Sequence, residues 1–325
     1  MKLMGIDIGG TKTAVCAGDE TGKILISKRM ATRTEGTLDD YFKALAALCT
    51  EVLGPVSWTL KDIDAIGISA PGPLDVKRGV LVAPPNNPGW TEVPVVKIIA
   101  DRFQRPVFMN NDANAAALAE MSFGHHGVQN LVYLTCSTGM GGGIIANGRL
   151  IQGATDTGGE IGHQILDLAG PMCGCGQRGC FEAYVGGKNV ADRIREKIRT
   201  GNVRTAILDK AGGQIEKIDF KALADAARAG DPFAVKEWDE YTERMAQGIG
   251  NLIMVLNPDL IVLGTIAIYE GDILMPPLRE KLRKYVWKWP LGACRIMPSS
   301  LGARIGDLAA LAVAITGLDT TTSQA

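Results

Sequence analysis

One stretch of the chain, residues 158–182, reads GGEIGHQILDLAGPMCGCGQRGCFE and combines the residue types of a metal site. Cys173, Cys175 and Cys180 fall within eight positions, and His163 lies ten residues before the first of them. Thiolate and imidazole are the ligands that a four-coordinate structural zinc ion prefers. The glycines between the cysteines permit the φ > 0 turns of a tight loop. The alternative is a set of small buried cysteines with a surface histidine, and this spacing favours zinc over it. We call residues 163–180 the knuckle.

The bulk properties exclude several classes of protein. The chain has 325 residues, 46% of them hydrophobic, which is enough for about two domains with a large core. A net charge of −1 and the lack of a basic block argue against nucleic acid as a partner. The start, MKLMGIDIGG, enters a strand pattern at once without the organisation of a signal peptide, and no apolar run reaches membrane-spanning length. The remaining cysteines lie singly in apolar settings, so we expect a reducing cytoplasm and no membrane partner.

The pattern strand, glycine loop, strand occurs twice, at residues 3–17 and 131–146. Long helical patterns separate and follow these segments, and strands mixed with long helices place the chain in the α/β class. The repeated start predicts two lobes with related architecture.

Each repeat contains a loop that could receive phosphate. The first reads DIGGTK (7–12), and its glycines would let backbone N–H groups approach phosphate oxygens. It lacks the spacing of a Walker A loop, so a plain tight hairpin is the alternative. Asp7, at the end of a buried strand, could orient Mg²⁺ through water. The second loop, STGMGGG (137–143), has four glycines in seven residues, which suggests access for a ligand. One such loop per lobe would hold a nucleotide from both sides.

A third polar segment, NNDANA (110–115), lies at a strand-to-helix junction. Asp112 there has two interpretations. It is either the N-cap of the helix, the commonest role of Asp at such a place, or a general base that takes the proton of an attacking hydroxyl.

These segments together resemble the ROK family of bacterial sugar kinases and sugar-responsive repressors. The resemblance rests on DIGGTK (7–12), PPNNPGW (84–90), NNDANAAALAE (110–120), STGMGGGIIANG (137–148), GGEIGH (158–163) and CGCGQRGCFE (173–182), in that order along nearly the whole chain. It implies an actin-like ATPase (ribonuclease H-like) fold, with two α/β lobes around a central cleft. The implied lobes are residues 1–121, completed by a C-terminal helix at 302–316, and residues 122–301, with a frayed tail at 317–325. It also implies a homodimer.

The resemblance carries over site residues one by one. It implies that Asp112 is the catalytic base and that zinc is held by His163, Cys173, Cys175 and Cys180. The implied sugar contacts are Gly72, Asn86, Asn111, Glu160, His163 and Glu182. The expected nucleotide contacts are Asp7, Gly9, Gly10, Thr11, Lys12, Thr138, Gly139 and Gly264. His163 would bind the metal through one ring nitrogen and offer the other to the sugar.

The activity expected from this set is transfer of the γ-phosphoryl group of ATP, with Mg²⁺, to the 6-hydroxyl of a hexose, most simply glucose. An N-acetylhexosamine is the second choice of acceptor. A sugar-sensing regulator without catalysis is a further alternative, although the first strand starts at residue 2 and leaves no room for a DNA-binding extension. One departure from the family pattern concerns the donor. The segment 263–267 reads LGTIA where a run of glycines is usual, so side chains at Thr265 and Ile266 could narrow the adenosine pocket, and polyphosphate is an alternative donor.

Overall fold

The structure is a computed structural model that describes residues 1–32, 36–85, 87–124, 127–201 and 203–322. The chain folds into two compact units. The first contains Met1–Val128, Gly143–Gly159 and the segment from Ser300 onward, and the second contains Gln129–Gly142 and Glu160–Ser299.

The strands of the described residues are β1 (Lys2–Ile8), β2 (Lys12–Asp19), β3 (Ile24–Ala31), β4 (Ala65–Ala70), β5 (Leu74–Asp75), β6 (Val80–Leu81), β7 (Val107–Asn111), β8 (Leu131–Cys136), β9 (Met140–Ala146), β10 (Arg149–Leu150), β11 (Leu260–Leu263) and β12 (Arg295–Pro298). The α-helices are α1 (Leu38–Leu53), α2 (Val95–Phe103), α3 (Asp112–Ala119), α4 (Phe181–Val185), α5 (Gly187–Gly201), α6 (Ala206–Lys210), α7 (Phe220–Arg228), α8 (Pro232–Leu256), α9 (Ile266–Tyr269), α10 (Gly271–Lys281), α11 (Lys288–Ala293) and α12 (Ile305–Thr322). None of the described helices is both long and apolar enough to span a bilayer.

The two five-stranded sheets share one topology. The first has the order β3-β2-β1-β4-β7, and the second has the order β10-β9-β8-β11-β12. In the first sheet β1, β2 and β3 are antiparallel neighbours, while β4 and β7 continue the sheet in parallel on the other side of β1. In the second sheet β11 and β12 extend β8 in parallel in the same way. The repeat seen in the sequence is therefore a repeat of the whole sheet, and the α/β class is confirmed.

Helix α12 covers one face of the first sheet at very short range. The sequence AALAVA (309–314) gives the helix a surface of small side chains, most of them buried. A Cβ added to Gly67 of β4 would lie 1.9 Å from the carbonyl oxygen of Ala310. The helix backbone thus packs directly on the strand, which only glycine in the strand and alanine in the helix permit. The opposite face carries the larger apolar core, which includes Ile66 and Ile68.

Several elements differ from the sequence-based prediction. The sequence predicts a helix that starts at Thr37, with Thr37 or Asp39 near the cap. Thr37 is the N-cap, α1 starts one residue later at Leu38, and Thr37 forms a capping box with Asp40. The sequence pattern predicts one helix at about 182–198, whereas the structure has two helices there, α4 and α5, separated at Gly186. Strand β12 was not predicted, because its four residues are too short for a periodic signal. Helix α12 continues to Thr322, past the tail boundary predicted at 317, and residues 323–325 lie outside the described residues.

The boundaries of the two units can be compared with those of the predicted lobes. Residues 143–159, which the sequence analysis placed in the second lobe, belong to the first unit. One contact ties this segment to the rest of the first unit, because the Asp156 carboxylate accepts a hydrogen bond from the Val76 N–H at 2.9 Å.

Candidate active site

The first glycine loop, Gly9 to Thr11, joins β1 to β2. The Gly9 N–H donates to the Lys12 carbonyl at 3.0 Å, and Ile8 is paired with Thr13 across the hairpin. Within the described ranges, the N–H groups of Gly10 and Thr11 donate to no other protein group. The loop is thus a tight hairpin that leaves two consecutive backbone donors for a ligand, so the hairpin and phosphate interpretations are compatible.

The second loop, Ser137 to Gly139, joins β8 to β9 and repeats this arrangement. The Ser137 N–H donates to the Gly139 carbonyl at 3.0 Å. In the part of the chain that the structure describes, the N–H groups of Thr138 and Gly139 have no protein acceptor. The carbonyls of Ser137 and Thr138 accept from the N–H groups of Gly187 and Lys188 at 2.8 and 3.0 Å. The loop therefore rests on the first turn of α5 while two donors stay available.

The last three glycines of the segment 137–143 allow close packing and do not form the predicted phosphate loop. Met140 already belongs to β9, so Gly141, Gly142 and Gly143 are strand residues and not part of a phosphate loop. A Cβ on Gly142 would lie 2.5 Å from the Ile161 side chain. One on Gly143 would lie 2.7 Å from the Cβ atom of Ala117. These glycines allow close packing of neighbouring segments on the strand.

Asp7, at the carboxyl end of β1, lies in a buried polar cluster of the first unit. The Ser69 hydroxyl donates to its carboxylate at 2.9 Å, and an ion pair at 4.0 Å joins Arg29 to Asp307 nearby. Burial raises the pKa of Asp7, the Ser69 hydrogen bond opposes that effect, and the Asp307 charge adds to it. Carboxylate and hydroxyl oxygens are the ligand type that Mg²⁺ takes, often with waters between, so the cluster fits the predicted role of Asp7. Asp307, far away in sequence, was not predicted here.

The segment after β7 shows which residue caps α3. Asn111, and not Asp112, caps α3, because its side-chain oxygen accepts from the N–H groups of Ala113 and Asn114 at 3.0 and 3.4 Å. Asp112 is the first helical residue and its carboxylate is exposed. The N-cap interpretation of Asp112 is therefore wrong, and the first turn of a helix suits a carboxylate electrostatically.

Other expected sugar contacts of the first unit surround this point. A Cβ added to Gly72 would lie 3.3 Å from the side-chain nitrogen of Asn111, so the structure brings these two together. Asn86 lies outside the described residues. The next residue, Asn87, was not singled out from the sequence. It is 2% exposed, and among the residues that the structure describes neither polar atom of its side chain has a hydrogen-bond partner. A buried unsatisfied amide costs about 1–3 kcal/mol, which marks Asn87 as a candidate ligand contact.

The knuckle brings its four predicted metal ligands together. One ring nitrogen of His163 and the sulfurs of Cys173, Cys175 and Cys180 all lie within 4.8 Å of one another, and Nδ1 is the ring nitrogen that faces Cys173. Two of these separations, Cys173 to the His163 ring and Cys175 to Cys180, are 3.7 Å. Neighbouring ligands of a tetrahedral zinc ion with bonds of about 2.3 Å lie about 3.8 Å apart. The spacing and the chemistry of this donor set therefore fit zinc.

Two expected sugar contacts stand beside the knuckle. The second ring nitrogen of His163, Nε2, lies 3.8 Å from a carboxylate oxygen of Glu160. The two side chains are 36% and 52% exposed, so both are accessible to a ligand. Glu182, on α4, is turned toward the second glycine loop, where it accepts a hydrogen bond from the Met140 N–H at 2.9 Å.

The segment after β11 carries an unusual backbone conformation. Gly264 directly follows the strand, and a Cβ there would lie 2.3 Å from the hydroxyl of Tyr133. Thr265 has φ = 36°, a value that β-branched residues rarely adopt, and its hydroxyl lies 3.3 Å from that of Thr135. Ile266 is buried, whereas Thr265 is partly exposed. Thr265 is therefore the side chain of this segment that can face a bound phosphoryl donor such as ATP. Because β8 and β11 are parallel neighbours, this segment and the second glycine loop follow the same sheet edge.

Comparisons with known proteins agree on one family. A sequence model described as the ROK family matches residues 3–316. A glucokinase of Thermotoga maritima is 35% identical over 316 residues, which are 96% of this chain and 97% of that protein. The crystal structure of a ROK hexokinase from Thermus thermophilus superposes with a TM-score of 0.83 at 33% identity, covering 98% of this chain and all of the other. A ROK glucokinase from Streptomyces griseus, solved with glucose and AMPPNP, gives a TM-score of 0.78 at 31% identity, covering 97% and 100%.

Proposed function

The chain belongs to the ROK family, and from this premise we propose that it is an ATP-dependent hexose kinase. Its reaction transfers the γ-phosphoryl group of ATP to the 6-hydroxyl of a hexose, with glucose as the first choice. The observation that carries this proposal is the matched pair of glycine loops. Each loop presents two consecutive backbone N–H groups without a protein acceptor within the described ranges, at Gly10 and Thr11 and at Thr138 and Gly139. The activities of the relatives support the same class.

The chemistry divides between the loops and Asp112. The oxygen of the sugar 6-hydroxyl attacks the γ-phosphorus, the new O–P bond forms, and the bond from that phosphorus to the oxygen bridging to the β-phosphate breaks, so that ADP leaves. Asp112 accepts the hydroxyl proton as general base, a role suited to its exposed carboxylate. The backbone donors of the two loops stabilise charge on the phosphate oxygens. Mg²⁺ would neutralise part of that charge, and Asp7 with Ser69 would orient its hydration shell.

The sugar would be held by two groups of side chains. We propose contacts from the backbone at Gly72, from the amides of Asn86 and Asn111, and from Glu160, His163 and Glu182. His163 would hold zinc through Nδ1, together with the three knuckle cysteines, and keep Nε2 for a hydroxyl of the sugar. Zinc would supply no chemistry to the transfer itself and would fix the orientation of the imidazole.

The remaining finer assignments are a cytoplasmic location and a homodimer. Trp287 and Trp289 bear on the second, since they are 74% and 89% exposed. The sequence YVWKWP (285–290) allows either an oligomer contact or a capped hydrophobic corner, and it favours the corner. The exposure of both tryptophans contradicts the corner, and they offer an apolar surface for a second copy. Light scattering at several protein concentrations measures the oligomeric state directly.

A substrate panel tests the proposed function. The purified protein is assayed for ADP release with ATP and Mg²⁺ against glucose, other hexoses and N-acetylhexosamines, and polyphosphate replaces ATP in parallel reactions. We expect glucose with ATP to give the highest kcat/KM. A preference for an N-acetylhexosamine would correct the acceptor, and activity with polyphosphate alone would correct the donor. Sugar binding without turnover with any donor would support the non-catalytic regulator instead.

A further inference from the structure

We propose that Glu182 is a positioning residue that holds the second glycine loop in its phosphate-binding form and couples that loop to the metal knuckle. The inference rests on the proposed kinase function and adds to it. The family resemblance implies only a sugar contact for Glu182. Its carboxylate, however, accepts a hydrogen bond from a residue 42 positions earlier in the chain, beside the glycine loop proposed to bind the phosphates of ATP.

The first observation is the contact with the loop. One oxygen of the Glu182 carboxylate, Oε2, accepts the Met140 N–H at 2.9 Å. A Cβ added to Gly139 would lie 2.6 Å from the same oxygen. The carboxylate therefore occupies the space that a side chain at position 139 would need, and it bonds to the residue that ends the turn. Hydrogen bonds to a charged acceptor are among the stronger ones in proteins.

The second observation is the contact with the knuckle. The other oxygen, Oε1, lies 3.7 Å from the sulfur of Cys173. The same sulfur is 3.7 Å from the His163 ring. One carboxylate thus bridges a predicted metal ligand and the glycine loop, so the position of the knuckle is transmitted to the loop through a single side chain.

The third observation concerns the loop itself. Its carbonyls at Ser137 and Thr138 are bound by the first turn of α5, and the backbone of Glu182 is bound to the same region through its carbonyl, which accepts from the Gly186 N–H at 2.7 Å. Met140 provides the hydrogen bond on the other side of the turn. With both sides held, the Thr138 and Gly139 N–H groups keep a fixed direction. Without the carboxylate, one side of the turn is released, and the donors lose the preorganisation that phosphate binding needs.

The test measures nucleotide and sugar affinity separately. Calorimetric titration with AMPPNP and Mg²⁺, without sugar, reports the donor site, and titration with glucose reports the acceptor site. We expect Glu182→Ala to weaken AMPPNP binding on the order of tenfold, as for loss of one hydrogen bond to a charged group. Glu182→Gln should recover most of that loss, because its amide oxygen can still accept the Met140 N–H. Removal of the metal by a chelator should weaken AMPPNP binding in the parent and have less effect in Glu182→Ala.

Two further variants separate positioning from direct contact. Glu160→Ala is the matched control, since Glu160 stands by the His163 ring and not by the loop, and we expect it to weaken glucose binding alone. Gly139→Ala should displace the carboxylate, so its effect on AMPPNP binding and that of Glu182→Ala should be less than additive in the double variant. Zinc content and thermal melting confirm that each variant is folded and loaded.

The outcomes that overturn the inference are distinct from those that overturn the kinase. Unchanged AMPPNP affinity in Glu182→Ala, or fully additive effects in the double variant, would limit Glu182 to a sugar contact. A parent protein that binds no nucleotide would instead refute the proposed function.

Discussion

Replacement of Asp112 by Asn should separate catalysis from folding. Asn111, not Asp112, caps α3 with two hydrogen bonds, and the Asp112 carboxylate accepts the neighbouring Ala113 N–H at 2.8 Å. Asn has nearly the same shape and retains an oxygen that can accept this bond. The substitution removes the interaction of a carboxylate with the helix dipole, which contributes about 0.3–1 kcal/mol.

The expected loss of activity is much larger. A positioned general base contributes about 10²–10⁴-fold to the rate, which corresponds to about 3–5 kcal/mol of barrier. We therefore expect kcat to fall by at least about a hundredfold, while the affinity for glucose changes little. Coupled measurement of ADP release gives kcat, titration calorimetry gives the affinity, and urea denaturation gives the free energy of unfolding.

Asn111→Ala supplies the matched comparison for stability. It removes the cap, so it should lower the free energy of unfolding by about 0.5–2 kcal/mol. A kcat of Asp112→Asn within tenfold of the parent would remove Asp112 from the role of base. A loss of stability equal to that of Asn111→Ala would show that its role is structural.

Three other predictions concern packing, the metal and pH. Gly67→Ala should lower the free energy of unfolding in urea by about 2–3 kcal/mol, because its Cβ would lie 1.9 Å from a carbonyl oxygen of α12. A Cβ at Gly54 would have nothing within 4 Å, so the control Gly54→Ala should change this free energy little. Equal effects would contradict the close packing of α12. Elemental analysis should find one zinc ion per chain in the parent and in Cys294→Ser, which changes a cysteine outside the knuckle, but much less in Cys175→Ser; zinc retained in the last variant, or absent from the parent, would argue against the knuckle site. Asp7→Asn should unfold at a higher urea concentration than the parent at neutral pH. The pKa of Asp7 is raised in the folded protein, so ionisation of its carboxyl group destabilises the folded state as the pH rises above the ordinary pKa of 3.8. That difference should vanish below this pH, and a pH-independent difference would point to packing instead.

The sequence was informative wherever a structural requirement acts over a few residues. The knuckle ligands fall within one short segment, so their spacing predicts that the chain can wrap them around one ion, and the structure brings all four together. The two hairpin loops at Gly9 and Ser137, and the strands on either side of them, could likewise be predicted from the sequence, because buried strands and glycine turns have local signatures. The family resemblance extended these local signals to the topology, which the two sheets share.

Features that depend on neighbours distant in sequence were decided by the tertiary structure. Asp307 approaches Asp7 because α12 folds back over the first sheet, and the carboxylate of Glu182 reaches Met140 because α4 and β9 meet in the second unit. Strand register and helix packing determine such contacts, and neither leaves a periodic mark in a single sequence. A shift of one residue at a helix start moved the cap from Asp112 to Asn111. The local sequence pattern thus determined which elements form and which metal ligands lie close together. The packing of sheets and helices decided which groups each polar side chain contacts.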